Sequence, residues 1–185
     1  IYDSDIYNNN QEGITVSGGG DLLLVRSTIR DHSAIGLAVR SGSTAEVEAT
    51  TIENNMTAGG WGFAVVNEGD LTLSASHVVN NNDGLGIYII GTSNTELYDS
   101  EVVNHNERGI YNQDATGVLI LDRVLVADNT TGVTSYGDLT MENVTISGND
   151  TGLVTGGIVD IAHSTIAQHG AGYVGGGRST RHRKT

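Results

Sequence analysis

The sequence contains no cysteine and no proline, and aromatic residues make up only 5% of its 185 positions. Without cysteine there can be no disulfide framework, no cysteine-bound zinc and no cysteine nucleophile. Glycine is abundant, at 26 residues, but it follows no Gly-X-Y period, which excludes collagen. No apolar run approaches the ~18 residues that a membrane-spanning helix needs. We therefore expect no membrane insertion and a core built from aliphatic side chains.

Lysine is missing from almost the whole chain, and charge is unevenly distributed. Four of the nine bases lie in the last eight residues: Arg178, Arg181, Arg183 and Lys184. Residues 1–177 therefore hold five bases against 22 acids, a net charge of −17. A body this acidic repels nucleic acid and anionic lipid, so we expect no nucleic-acid partner. We predict a single domain over residues 1–177, part of a longer protein, and at 178–185 a basic flexible tail or cloning remnant.

What the sequence does have is an internal repeat along its whole length. Each copy centres on an aliphatic anchor residue. A serine, threonine or valine precedes the anchor by two positions, and an asparagine or histidine follows it by three. A loop and a second short strand complete the copy. The anchors recur at intervals of 20–26 residues: Ile6, Ile29, Ile52, Val78, Val102, Val126, Ile146 and Ile166.

Apolar residues alternate with polar ones within each copy, as at Leu71 and Leu73. Alternation with a period of two predicts strands, and a single copy cannot bury its own apolar face. Stacked copies can, which predicts an all-β fold, a right-handed parallel β-helix of about eight coils of 20–26 residues. One glycine is expected to open the second strand of each coil: Gly13, Gly36, Gly62, Gly86, Gly109, Gly132, Gly152 and Gly172.

The segments LTMENVTISGN and LTLSASHVVNN, each followed by a glycine-led strand, resemble the repeats of right-handed parallel β-helix proteins of the pectin-lyase-like superfamily. The resemblance covers about residues 1–175. It implies the β-helix fold and a bacterial secreted or cell-surface protein. It does not single out a function, because the superfamily includes lyases, hydrolases, epimerases, esterases, phage tailspikes and adhesins.

The residues three positions after the anchors form a column of stacked side chains. It contains Asn9, Asn55, Asn81, Asn129 and Asn149, with histidine in place of asparagine at three coils: His32, His105 and His169. We expect an asparagine ladder whose amides hydrogen-bond from coil to coil and whose asparagines adopt the left-handed turn conformation. The histidines lie three or more coils apart, too far to share a metal ion, and we assign them a structural role.

The positions before and after the anchors predict a hydroxyl column inside the core and ion pairs outside it. Asp3 with Arg26, Asp99 with Arg123, and Arg30 with Glu53 fall on adjacent coils. We expect these pairs to set the register, since exposed ion pairs contribute little stability. In residues 1–177 they leave two bases free to meet an anionic substrate: Arg40 and Arg108.

A polysaccharide-acting enzyme, a lyase, hydrolase or epimerase, is one alternative function. Pectate-lyase-like catalysis needs a basic residue above a calcium-binding acid cluster, and hydrolases of this fold need converging aspartates. The best candidates are Asp99, Asp122 and Arg108, but none of the lyase, polygalacturonase or pectin-esterase motifs is present. Asp21, Asp70 and Asp138 end turn sequences and are calcium candidates, although turn formation explains them better. We therefore expect no cofactor.

Aromatic residues give the one localised feature. In the longest copy Trp61 precedes a strand whose outward residue is expected to be Ala64, and the next two coils place Tyr88 and Tyr111 in the same outward column. Stacked rings can hold a sugar face, or they can form a tyrosine ladder that only stabilises the sheet. The favoured function is a non-catalytic surface scaffold or adhesin-type module, and glycan binding at Trp61, Tyr88 and Tyr111 is one option within it. A fibre subunit that associates end to end is a further alternative.

Overall fold

The computed structural model describes residues 1–55, 62–81, 84–175 and 179–183. In these residues it contains 24 β-strands, which form three parallel sheets of eight strands each. Each coil contributes one strand to each sheet, so the predicted all-β parallel β-helix is confirmed. The described part of the chain includes no helix long and apolar enough to cross a membrane.

Sheet I contains the anchors. Its strands are β1 (Asp5–Tyr7), β4 (Thr28–Arg30), β7 (Thr51–Glu53), β10 (His77–Val79), β13 (Glu101–Val103), β16 (Leu125–Ala127), β19 (Thr145–Ser147) and β22 (Thr165–Ala167). All eight anchors stand opposite one another in the predicted register, from Ile6 beside Ile29 to Ile146 beside Ile166. The spacing of the repeat therefore sets the stacking of the coils.

Sheet II contains the strands that follow the glycine column. They are β2 (Ile14–Val16), β5 (Leu37–Val39), β8 (Gly62–Asn67), β11 (Gly84–Ile89), β14 (Arg108–Asn112), β17 (Thr131–Ser135), β20 (Thr151–Thr155) and β23 (Ala171–Gly175). Neighbouring strands pair in parallel throughout.

Sheet III completes each coil. It consists of β3 (Asp21–Val25), β6 (Thr44–Glu48), β9 (Asp70–Ser74), β12 (Asn94–Tyr98), β15 (Val118–Asp122), β18 (Asp138–Glu142), β21 (Val159–Ala162) and β24 (Ser179–Arg183). The last strand lies in the basic segment that the sequence marks as a tail, and it pairs with β21 through one register shift.

The core is a continuous stack of aliphatic side chains enclosed by the three sheets. Inward residues of sheet III, such as Leu73, Leu97 and Leu121, are almost completely buried, whereas their outward neighbours Thr72, Glu96 and Asp122 are not. The anchors of the six middle coils are at most 1% exposed. Burial of apolar surface of this kind is the main source of stability.

Two corners of every coil depend on residues in the left-handed backbone region. One column lies between sheets III and I, with φ of 47–55°: Asp3, Arg26, Ala49, Ala75, Asp99, Arg123, Asn143 and His163. The other follows sheet I, with φ of 50–68°: Asn8, Asp31, Asn54, Asn80, Asn104, Asp128, Gly148 and Gln168. The prediction that the ladder asparagines themselves are left-handed is therefore wrong, because the residue one position earlier makes the turn.

The glycine column differs from the sequence prediction in one coil. Leu37 pairs with Val65 and Val65 with Ile87, so Ala64, and not Gly62, stands in line with the column glycines. The insertion in the longest repeat shifts this strand by two residues. As a consequence Ala64 is fully buried and does not occupy the outward column in which it was expected.

Candidate functional site

The ladder at the corner between sheets I and II is a neutral, buried hydrogen-bond chain. Asn55, Asn81, Asn129 and Asn149 are at most 5% exposed. The backbone N–H of Asn55 donates to Oδ1 of Asn81 at 2.8 Å, and that of Asn129 donates to Oδ1 of Asn149 at 2.9 Å. Each amide Nδ2 also donates to an anchor carbonyl of the preceding coil, as from Asn81 to Ile52 at 3.2 Å. The predicted coil-to-coil ladder is confirmed.

His32 and His169 reproduce both hydrogen bonds of asparagine, whereas His105 makes only the bond from Nε2 and has a buried Nδ1 without a partner. Nδ1 of His32 accepts from the backbone N–H of Asn9 at 3.1 Å, and Nε2 donates to the Ile6 carbonyl at 3.1 Å. Nε2 of His105 likewise bonds the Val78 carbonyl. Burial lowers the pKa of His32, and it lowers the pKa of His105 to about 4. A neutral ring fits this role at His32, because its Nδ1 accepts a backbone N–H and must remain an acceptor.

The glycine column leaves room for the ladder. A Cβ at Gly109 would lie 2.9 Å from Nδ2 of Asn129, and one at Gly86 would lie 2.8 Å from Nε2 of His105. The glycine column and the column of ladder asparagines and histidines therefore pack directly against each other.

A second ladder lies in the hydroxyl column before the anchors. The backbone N–H of Ser27 donates to Oγ1 of Thr50, that of Thr50 to Oγ of Ser76, and that of Ser76 to Oγ of Ser100, at 3.1–3.2 Å. The hydroxyls in turn donate to backbone carbonyls. The sequence prediction for this column is confirmed, and its serines are occupied in structural hydrogen bonds.

Most arginines are held by carboxylates. Both Asp3 oxygens accept from Arg26 at 2.8 Å, and both Asp99 oxygens accept from Arg123 at 2.6 and 2.9 Å, as predicted. The predicted pair of Arg30 with Glu53 does not form. Arg30 bonds Asp5 and Asp31 rather than Glu53, because those two acids lie within reach on its other sides.

Arg40, expected to be free, is also paired. It donates to Glu68 at 2.9 Å and to Glu12 at 2.5 Å, and so links residues of three coils. Among the described side chains of residues 1–175, Arg108 is the arginine without a carboxylate within 4.0 Å.

The three catalytic candidates do not form one site. Asp99 and Asp122 both bond Arg123 at the corner between sheets III and I, and the hydrogen bonds from Arg123 lower the pKa of Asp99. Arg108 opens strand β14 of sheet II. Its guanidinium therefore does not join the two aspartates. The base beside them is Arg123, which is already paired with both carboxylates.

An aromatic column runs along the outer face of sheet II. The rings of Phe63 and Tyr88 stack with centroids 4.7 Å apart, those of Tyr88 and Tyr111 at 5.5 Å, and Tyr136 meets Tyr111 edge-on at 6.1 Å. Tyr88 and Tyr111 pair as expected, but Val66, and not Ala64, stands opposite Tyr88. Trp61 lies outside the described residues.

The stacking determines which parts of the rings a ligand can reach. Phe63 and Tyr111 cover the two faces of Tyr88, which favours a packing role for that ring. Tyr111 carries the guanidinium of Arg108 at 4.5 Å from its centroid, and Tyr136 is 44% exposed. The accessible end of the column is therefore the end with Tyr111, Tyr136 and Arg108.

A trough lies beside Arg108. One depression of about 350 Å³ is lined by Asn106, Glu107, Arg108, Thr130 and Thr131. A second, of about 320 Å³, shares two of these residues and adds five: His105, Asp128, Asn129, Gly148 and Asp150. We call their union the Arg108 trough. Open sites of several hundred Å³ with a few convergent polar groups suit small-molecule or oligosaccharide ligands.

No metal centre is evident among the described residues, where no three His, Asp or Glu side chains are grouped. Asp21 and Asp70 are two coils apart in sheet III, with Thr44 between them. Asp138 lies three coils beyond Asp70 in the same column. A calcium site built from these three aspartates does not form in this arrangement.

Comparison with known families agrees with the observed fold. A family model described as a right handed beta helix region matches residues 1–124, more than half of the chain. The chain belongs to the right-handed β-helix family. No curated protein and no solved structure matches it at a significant level. Membership in this family establishes the fold and leaves the ligand open.

Sequence reasoning missed two features of this β-helix. Phe63 and Tyr136 extend the aromatic column to four coils, and the available signal was an aromatic residue near, but not at, the outward position, which Val66 and Thr134 occupy. The Arg108 trough had no such signal, because Asn106 and Thr130 lie in turns of different coils and only the stacking brings them together.

Proposed function

We propose that this β-helix is a non-catalytic, secreted or surface-displayed module that binds a glycan at the Arg108 trough. In the proposal Tyr111 holds Arg108 at the edge of this binding surface. The rigid stack of coils serves as the scaffold that holds the surface in place.

The observation that carries the proposal is the Arg108–Tyr111 pair beside an open polar trough. Stacking on the ring holds the guanidinium in one orientation, so that its remaining N–H groups point to a ligand at little entropic cost. Asn106, Thr130 and Thr131 add amide and hydroxyl groups. Oriented donors beside aromatic edges are typical of carbohydrate recognition.

The state of the acidic residues supports a binding rather than a catalytic role. Asp99 accepts two hydrogen bonds from Arg123, which favours its ionised form, whereas a general acid must keep its proton. The serines of the hydroxyl column donate to backbone carbonyls, and no base among the described residues accepts a hydrogen bond from them, as an activated nucleophile would require.

A glycan array probed with the folded chain tests the proposal. We expect binding to at least one glycan, lost in Tyr111→Ala because the support of Arg108 is removed. Tyr7→Ala is the matched control, since Tyr7 also lies under an arginine, Arg30 at 4.6 Å, but far from the trough. Absence of binding to every glycan contradicts the binding role, and release of reducing or unsaturated sugar ends contradicts the non-catalytic role.

A further inference from the structure

The Arg108 trough runs along the axis of the β-helix across three coils. Arg108 pairs with Thr131, and Thr131 with Thr151, the residue after Asp150. Coils stack at ~4.8 Å, so the trough extends about 10 Å, or about two sugar rings. Its length suits an oligosaccharide segment lying parallel to the axis.

The charges around the trough are mostly negative. Among the described residues, Arg108 is the one cationic side chain that lines it, whereas Glu107, Asp128 and Asp150 line it as well and are exposed. The body around it has five bases against 22 acids. At physiological salt the Debye length is about 8 Å, slightly less than the length of the trough, so each carboxylate acts on ligand groups in most of the trough.

A ligand with a carboxylate on every sugar would place one negative group at Arg108 and the next against Asp128 or Asp150. Like charges at such distances are unfavourable. A neutral sugar chain has no such conflict. Its ring and hydroxyl oxygens accept hydrogen bonds from Arg108, and its hydroxyls donate to the three carboxylates.

We propose that the Arg108 trough selects neutral polysaccharides and discriminates against uronate polymers. The inference rests on the proposed glycan-binding function and specifies its ligand class. In this account Arg108 acts as an oriented hydrogen-bond donor, and Glu107, Asp128 and Asp150 both bind hydroxyls and exclude acidic chains.

Matched polymers test this selectivity. Oligosaccharides of β-1,3-glucan, β-1,4-glucan and β-1,4-galactan are titrated calorimetrically beside the same oligosaccharides oxidised to uronates at C6. We expect at least one neutral form to bind, its oxidised form to bind at least about tenfold more weakly, and the neutral affinity to change less than about threefold between 0.05 and 0.5 M NaCl.

Substitutions at Arg108 and Thr131 test whether neutral glycans bind at the trough. We expect Arg108→Gln to weaken neutral binding at least about tenfold, as for loss of hydrogen bonds from a charged donor. Arg108→Lys should weaken it as well, because lysine lacks the planar fork. Thr131→Val, which keeps the side-chain shape, gives a second test if Arg108 variants unfold. Arg26→Gln, on another corner, is the control.

The outcomes separate the two proposals. Tighter, salt-sensitive binding of an oxidised form, or neutral binding unchanged in Arg108→Gln and Thr131→Val, overturns the selectivity while glycan binding stands. Array binding confined to acidic glycans likewise overturns the selectivity while glycan binding stands. No binding of any glycan on the array overturns the proposed function itself, and the selectivity with it.

Discussion

The ladder corner and the Arg108 trough lie next to each other on the same coils, yet they are built in opposite ways. The ladder repeats in every coil, is buried in the six middle coils, and has no net charge in its hydrogen-bond chain. The trough is confined to three coils, is open, and carries four charged side chains. Repetition accounts for the fold, and the proposed binding site lies where the coils depart from repetition.

The largest expected effect comes from breaking the fit between the glycine column and the ladder. Gly109→Ala places a methyl group 2.8 Å from the Gly132 carbonyl oxygen and 2.9 Å from Nδ2 of Asn129. Overpacking against a rigid backbone should lower the free energy of unfolding by about 2–3 kcal/mol. Urea denaturation followed by circular dichroism measures this loss.

Gly172→Ala is the control from the same column, because a Cβ there meets no atom within 4 Å. We expect its unfolding free energy to stay within about 0.5 kcal/mol of the parent. Equal losses in the two variants would show that the column glycines matter for backbone freedom and not for the room they leave to the ladder.

A somewhat smaller effect is expected on the pH dependence of stability. Burial lowers the pKa of His105 in the folded chain to about 4, below the value of about 6.5 for a solvated histidine, so the unfolded chain binds the extra proton between these values. Stability from the neutral ring is therefore complete above pH 6.5 and is lost as the pH falls towards 4. His105→Asn keeps the ladder but removes the titrating ring. Between pH 7 and 4.5 its free energy of unfolding should therefore fall by about 2 kcal/mol less than that of the parent chain.

His163→Asn controls for the many carboxylates that titrate in the same range. His163 is exposed, and its position tolerates asparagine because Asn143 occupies the same left-handed column. Its acid-induced loss should equal that of the parent chain. If His105→Asn loses as much stability on acidification as His163→Asn, the ladder histidine does not couple folding to pH.

The repeat allowed the anchors, the ladder and the hydroxyl column to be predicted, because each is a fixed offset within a copy. The sequence predictions were wrong where the sequence does not define the strand register or the choice between neighbouring partners. The insertion before Phe63 shifts β8 by two residues, which moved Ala64 from the outer face to the glycine column. Arg30 has several acids within reach, and sequence alone could not choose between Asp5 and Glu53.

The trough could not be predicted for a related reason. Most of its groups come from the turns after β13, β16 and β19, and turn length varies among the copies. Only the stacked coils show that Asn106 and Thr130 line the same space beside Arg108.

Hydrogen–deuterium exchange with a bound neutral oligosaccharide tests the central claim most directly. The account predicts strong protection of strand amides throughout the coils before the ligand is added. It predicts that the ligand adds protection only in peptides covering residues 105–111 and 128–136 and the neighbouring turn at 148–150. Added protection spread evenly over the coils, or confined to sheet III, would contradict the claim that the Arg108 trough is the binding site.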